Sequence, residues 1–177
     1  MKKNLLLVSL LIMTLLLTGC GSDKETTKTD NNKETNTTSD SIKDSVTEES
    51  KVLKCTRNAT VSEGVRMELS YKATYKGDYV ELIETEEKII SNNSAVLEAY
   101  KSNVEKMYSP YKNVEHYNYN VVIDDDTLIS TTHIDYSKID TKKLIEIDSA
   151  NKTLIKNGKV KISDVKLMYQ TVGATCE

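Results

Sequence analysis

Few side chains in this 177-residue chain are of the kind that do chemistry. There are three cysteines, Cys20, Cys55 and Cys176, and two histidines, His116 and His133. Thiolate and imidazole together make zinc sites, whose ligands often come in short, defined sequence spacings, and nucleophile–base pairs, whose members need meet only in the fold. No CxxC occurs, no histidine adjoins a cysteine, and no P-loop, HExxH or GxSxG is present. Ser130 and His133 share one strand-like segment, which does not by itself make a nucleophile and its base. Asp124, Asp125 and Asp126 invite calcium, yet they lack the spaced oxygens of a calcium loop. A hairpin turn accounts for them, because Asp tolerates turn dihedrals. Glu84, Glu86 and Glu87 read as a charged outer strand, and carboxylates there serve as acid and base only inside a cleft. The sequence therefore predicts no catalytic residue and no cofactor.

The histidines are the one pair whose chemistry depends on strand register. In "VEHYNYNVVI", Tyr117, Tyr119, Val121 and Ile123 share a face; in "TLISTTHIDY", Leu128, Ile134 and Tyr136 do. A two-residue turn at Asp124-Asp125 aligns both apolar sets and sets His116 directly opposite His133. A turn at Asp125-Asp126 keeps the faces but offsets the histidines. Two opposed imidazoles could sense pH or grip a metal. Zinc takes more ligands than two, so His116 and His133 are weak metal candidates and no metal is expected.

The elements around these strands follow from hydrophobic period. "VLKCTRNATV" alternates as a strand holding Cys55. In "VRMELSYKATYK", Val65, Met67, Leu69, Tyr71, Ala73 and Tyr75 point one way. Gly77-Asp78 turns the chain into "YVELIETEEKII". A helix from Ser94, as N-cap, to Tyr108 should bury Val96 or Leu97, Tyr100, Val104 and Met107, with Pro110 marking its end. "TKKLIEI" is a short helix capped by Asp140, Asn157-Gly158 turns a small hairpin, and Ser163 opens a last helix stopped by Gly173. The prediction is an α+β fold: an antiparallel sheet of about five strands, covered on one face by a helix, with short C-terminal helices. Ten tyrosines supply all the aromatic bulk, since Trp and Phe are absent. Each ring buries well while its hydroxyl seeks a partner or the surface.

The N-terminus sets the expected compartment. Lys2 and Lys3 precede an apolar run from Leu5 to Leu17, shorter than a bilayer span and of the length of an export signal. "LTGC" at Leu17–Cys20 resembles a bacterial lipoprotein lipobox. That resemblance implies a signal peptide over residues 1–19 and Cys20 acylated through diacylglycerol, a double chain that holds a protein on the bilayer. Residues 20–50 are polar and low in apolar side chains, a spacer too poor in core residues to fold alone. Residues 51–177 form a single extracytoplasmic domain. With Cys20 consumed, Cys55 and Cys176 remain, and an exported protein is expected to join them in a disulfide. The formal net charge of −3 argues against a nucleic-acid partner.

Taken with the signal and lipobox, "LSYKATYKGDYV", "DDDTLISTTHIDY" and the terminal "VGATC" resemble small bacterial lipoproteins of the YehR type. The resemblance implies an α+β domain on the outer side of the cell membrane, without an assigned activity. The expected role is non-enzymatic. It is a binding module of the envelope whose uncovered sheet face meets a protein, peptide, glycan or small ligand. The alternative is an envelope hydrolase with an unrecognised site.

Overall fold

The structure, a computed structural model, describes residues 48–177. The expected signal peptide, Cys20 and most of the polar spacer lie outside the described residues. The strands are β1 (Lys51–Ser62), β2 (Val65–Lys76), β3 (Tyr79–Ile90), β4 (Tyr117–Asp124), β5 (Thr127–Asp135), β6 (Ile155–Lys156), β7 (Lys159–Val160) and β8 (Thr175–Cys176). The helices are α1 (Ser94–Tyr108), α2 (Thr141–Ile147) and α3 (Ile162–Thr171). One antiparallel sheet runs β4-β5-β3-β2-β1-β8, and β6 and β7 form a separate hairpin. The α+β fold is as expected, with one more strand in the main sheet because the chain's tail joins it.

Turn chemistry fixes the hairpins. Lys76 faces Tyr79, leaving Gly77-Asp78 as a two-residue turn in which Gly77 takes φ 57°, a conformation glycine adopts without steric cost. Asn157 and Gly158 both take positive φ between β6 and β7, the tightest hairpin geometry. In the β4–β5 hairpin Asp125 takes φ 49° and Asp124 faces Thr127, so the turn residues are Asp125-Asp126.

A bulge in β3 decides which residues reach the core. Tyr75 faces Val80, but Thr74 faces Leu82, so Glu81 is an extra residue on that strand. Before the bulge the inner side chain of β3 is Val80; beyond it the inner set is Ile83, Thr85, Glu87 and Ile89, each opposite one of the apolar-phase residues of β2. Without the bulge, Glu84, Glu86 and Lys88 would face inward. The slip turns all three out and leaves Glu87 as the one charged residue of β3 on the inner side.

The inner face is built of cross-strand rows. Met67, Ile89, Leu128 and Ile123 form one, and Leu53, Ala73, Ile83, Ile134 and Tyr117 another. Each belongs to its own apolar cluster: the first packs with Leu97 beneath α1, the second with Val165, Tyr169, Leu144 and Val160 beneath the C-terminal elements. Helix α1 has its expected ends, but Asn93 caps it rather than Ser94, its Oδ1 accepting from Ala95 N at 3.0 Å. Leu97 (1% exposed) and Val104 are its buried residues, whereas Met107, expected in the core, is 38% exposed. The stripe that faces the sheet is narrower than the sequence period implied, and Met107 lies outside it.

The tail closes the fold. Gly173 ends α3 at φ 86°, and Ala174 N donates to Tyr169 O at 3.0 Å. The chain then lies along β1, with Lys54 N donating to Glu177 O and Glu177 N to Lys54 O, both at 2.9 Å. Cys55 and Cys176 face each other there and are disulfide-bonded, their Cα atoms 4.0 Å apart.

Two stability outcomes follow for the full-length chain. Leu97→Ala should cost about 2–4 kcal/mol through loss of burial and a residual cavity, and Met107→Ala less than about 1 kcal/mol. Urea midpoints measure both, and equal losses would remove α1 from the core. Reduction, or Cys176→Ala, should cost about 2–5 kcal/mol because the bond closes nearly the whole described unit. A change below a few tenths would show that β8 docks without it.

Candidate functional site

The sheet's outer face carries no described helix. From β1 to β4 its central row reads Thr56, Ser70, Glu86, Thr131 and Asn120, and the next Asn58, Glu68, Lys88, Ile129 and Val122. Lys72 Nζ lies 2.8 Å from Glu84, Lys88 Nζ 3.0 Å from Glu86 and Arg66 3.8 Å from Glu68. These exposed pairs contribute little stability but hold the charges in alternating sign. A shallow depression of about 250 Å³ lies among Thr56, Asn58, Glu68, Ser70, Glu86 and Lys88. Leu69 also borders it, its walls are mixed polar and apolar, and none is aromatic.

The inner face differs along its middle. Between the two apolar rows run two mixed ones: Arg57, Leu69, Glu87, Ser130 and Val121, then Cys55, Tyr71, Thr85, Thr132 and Tyr119. Thr85 and Thr132 share a hydrogen bond of 2.6 Å. Above them, α1 packs on β3, β4 and β5 while α3 packs on β1 and β8, so the seam between the helices runs over β2 and β3. Tyrosines line it. Tyr71 stacks on Tyr169 of α3 at 4.0 Å between centroids, and Tyr108 of α1 meets Tyr119 at 5.4 Å. Tyr71 belongs to both apolar clusters and joins them.

Glu87 sits in this seam without a hydrogen bond or ion pair to any described side chain. Burial pushes its carboxyl above the ordinary value of 4.5. Burial, and secondarily the charge of Glu87, pushes the Tyr71 phenol up to about 12 and raises Tyr100 and Tyr108 as well. These hydroxyls are therefore neutral across the physiological range.

The other expected residues fall elsewhere. His133 lies opposite Asn118, not His116, on the outer face, with Nδ1 3.9 Å from Glu84. His116 precedes β4 at φ 67°, its carbonyl accepting from Asp135 N. The opposed pair expected from a turn at Asp124-Asp125 is thus corrected: Asp125 accepts positive φ, the turn moves one residue on, and the histidines are offset. Both registers align the apolar faces, so the face pattern did not choose between them. Among the described residues no group of three or more His, Cys, Asp or Glu gathers to hold a metal. Asp124 ends β4 and Asp125 and Asp126 make the turn, all three exposed. Ser130 is 3% exposed on the inner face, with His133 on the other side of the sheet. The charged outer strand expected for Glu84, Glu86 and Glu87 is corrected too, since β3 is an inner strand of the sheet and Glu87 points away from the other two. The sequence does carry a trace of this: the apolar phase of β3 shifts between Val80 and Ile83.

Residues 54–173 match a family described as a protein of unknown function, DUF1307. Among solved structures, the NMR structure of the YehR protein of E. coli is 20% identical with a TM-score of 0.49, covering 73% of this chain and 91% of that one. An NMR structure of a protein from Streptococcus pneumoniae TIGR4 is 16% identical with a TM-score of 0.44, covering 89% of this chain and 100% of that one. YehR, the type named from the sequence, is thus among the proteins this chain is similar to. No curated protein matches it.

Glu87 makes stability depend on pH with a definite sign. Its folded pKa is raised, so the folded state holds the proton more tightly than the unfolded chain. The contribution is complete below the unfolded value near 4.5 and is lost as pH rises through the elevated folded value. Relative to Glu87→Gln, the wild-type urea midpoint should therefore fall as pH increases across that window. Parallel pH profiles would show that the carboxylate is not desolvated.

Proposed function

We propose a role from two premises: the chain belongs to the DUF1307 family, whose function is unknown, and no described helix covers the outer face of its sheet. The protein is an envelope lipoprotein. Residues 1–19 are its signal peptide, Cys20 carries diacylglycerol, residues 20–50 are its spacer, and residues 51–177 work on the extracytoplasmic side of the cell membrane. No described helix is long and apolar enough to cross a membrane. In this reading the lipid on Cys20 makes the membrane contact.

The domain is a non-enzymatic binding module. The observation that carries this reading is the outer sheet face, with hydroxyl, amide and alternately charged side chains around the depression at Thr56, Ser70 and Glu86. Such a face offers many directional hydrogen-bonding groups, with an apolar patch at Ile129 and Val122 beside them. That composition suits a polar protein or peptide surface, where charge pattern sets specificity and encounter rate.

Cys20→Ser should move the full-length protein from the membrane fraction to the soluble fraction, and retention in the membrane would refute the lipid anchor. A photo-crosslinking residue at Ser70 should give a discrete envelope adduct, and one at the exposed Lys166 of α3 should give none. Equal adducts at both positions, or none at Ser70, would remove the outer face as the binding surface.

A further inference from the structure

β4 stands at the end of the main sheet, with a described strand on one side alone. The hairpin decides which of its backbone groups are used. Asp124 and Thr127 flank the two-residue turn and form a hydrogen-bonded pair, and in an antiparallel ladder such pairs alternate with unbonded ones. Asn118, Asn120 and Val122 therefore bond to β5, and the odd-numbered residues turn their N–H and C=O groups outward. Two neighbouring bonds fit this parity: Asp135 N donates to His116 O, and Tyr117 N donates away from β5, to Val114 O. The backbone groups of Tyr119, Val121 and Ile123 have no hydrogen-bond partner among the described residues.

Exposed edges are commonly protected by charge, proline or a bulge. The other edge of this sheet is: β8 covers β1 as far as Thr56, Arg57 follows, and the register slips between Thr60 and Ser62. From Tyr117 to Ile123, β4 carries no charge, proline or bulge. Its inward side chains at Tyr119, Val121 and Ile123 are half-buried, whereas Leu128, Ser130 and Thr132 opposite them on β5 are buried. On the outer side Val122 is 41% exposed. A further strand would cover the apolar side chains and satisfy the free backbone groups together.

Charge indicates the occupant. The C-terminal end of β4 runs into the exposed Asp124, Asp125 and Asp126. The N-terminal end is flanked by Lys112 and by Lys143, whose Nζ donates to Asn113 O at 3.1 Å, against the single carboxylate of Glu115. A second copy laid antiparallel sets each acidic turn beside the other's lysines, whereas a parallel copy would set the acidic turns side by side.

We propose that two copies of this chain associate through β4, antiparallel about a two-fold axis at Val121, so that the sheet continues from one copy into the next. Val121 faces the partner's Val121, and Tyr119 faces the partner's Ile123, an aromatic side chain against a β-branched one. In this register each outward backbone group of Tyr119, Val121 and Ile123 is paired.

Pairing through one edge strand is weak, so the dimer should accumulate at about 0.1 mM and above. Sedimentation of the full-length protein in mild detergent measures it. Amide hydrogen exchange at low and high concentration reads the edge: Tyr119, Val121 and Ile123 should gain protection as concentration rises, while Asn120 and Val122, already bonded to β5, should not change. Val121→Pro removes an N–H that β5 does not use, so it is expected to fold, which a thermal melt checks, and to stay monomeric. Asn58→Pro removes an outward N–H of β1 beyond β8 and should leave the dimer intact. A wild type still monomeric at about 1 mM overturns the proposal. So does a dimer that persists in folded Val121→Pro or is lost in folded Asn58→Pro. Edge amides whose protection ignores protein concentration, or arises only when an envelope extract is added, also overturn it, the latter giving the edge to a different chain.

Discussion

One extra residue, Glu81, governs the interior of this protein. A strand alternates its side chains between faces, so a single-residue slip reverses every position beyond it. With Glu81 bulged, Ile83, Thr85 and Ile89 enter the core and Glu84, Glu86 and Lys88 leave it. The bulge is tied down from both sides: Ser137 N donates to the Glu81 carbonyl and Ser50 Oγ to its carboxylate, both at 3.2 Å. No register without the slip buries the apolar residues of β3 on the side where those of β2 lie. The cost of the solution is that Glu87 comes in with its odd-numbered neighbours.

That residue divides the interior. Apolar rows occupy the two ends of the sheet's inner face, each with its own helical cover, and the mixed rows between them lie where tyrosines of both helices meet the sheet. Tyrosine suits a boundary of this kind because one side of the ring packs while the hydroxyl meets water. A chain without Phe or Trp can hence build a core and a polar seam from a single aromatic type.

Much of this architecture was legible in the sequence because it rests on local periodicity. The alternation of Val65 to Tyr75 gave β2 its faces, the period of Leu97 and Val104 gave α1, and Asp140 gave the cap of α2, accepting from Lys142 N and Lys143 N. The disulfide followed from counting cysteines once Cys20 was assigned to lipid. What escaped depends on interactions that no local pattern records. Asp125-Asp126 and Asp124-Asp125 serve equally well on facial grounds, and only the backbone of Asp125 distinguishes them. Two residues are too few for β8 to show a period. Glu87 resembled its acidic neighbours because a bulge moves the phase without altering residue type.

The covalent link between Cys55 and Cys176 also has a mechanical side. Tension applied between Lys51 and Glu177 runs along β1 to Cys55, across the sulfurs to Cys176, and out through one more residue. The chain enclosed between the two cysteines lies off that path and bears no load. Stretching the described unit by its ends can straighten only the few residues outside the bond, at about 3.5 Å each, while the sheet and its helices stay slack and folded.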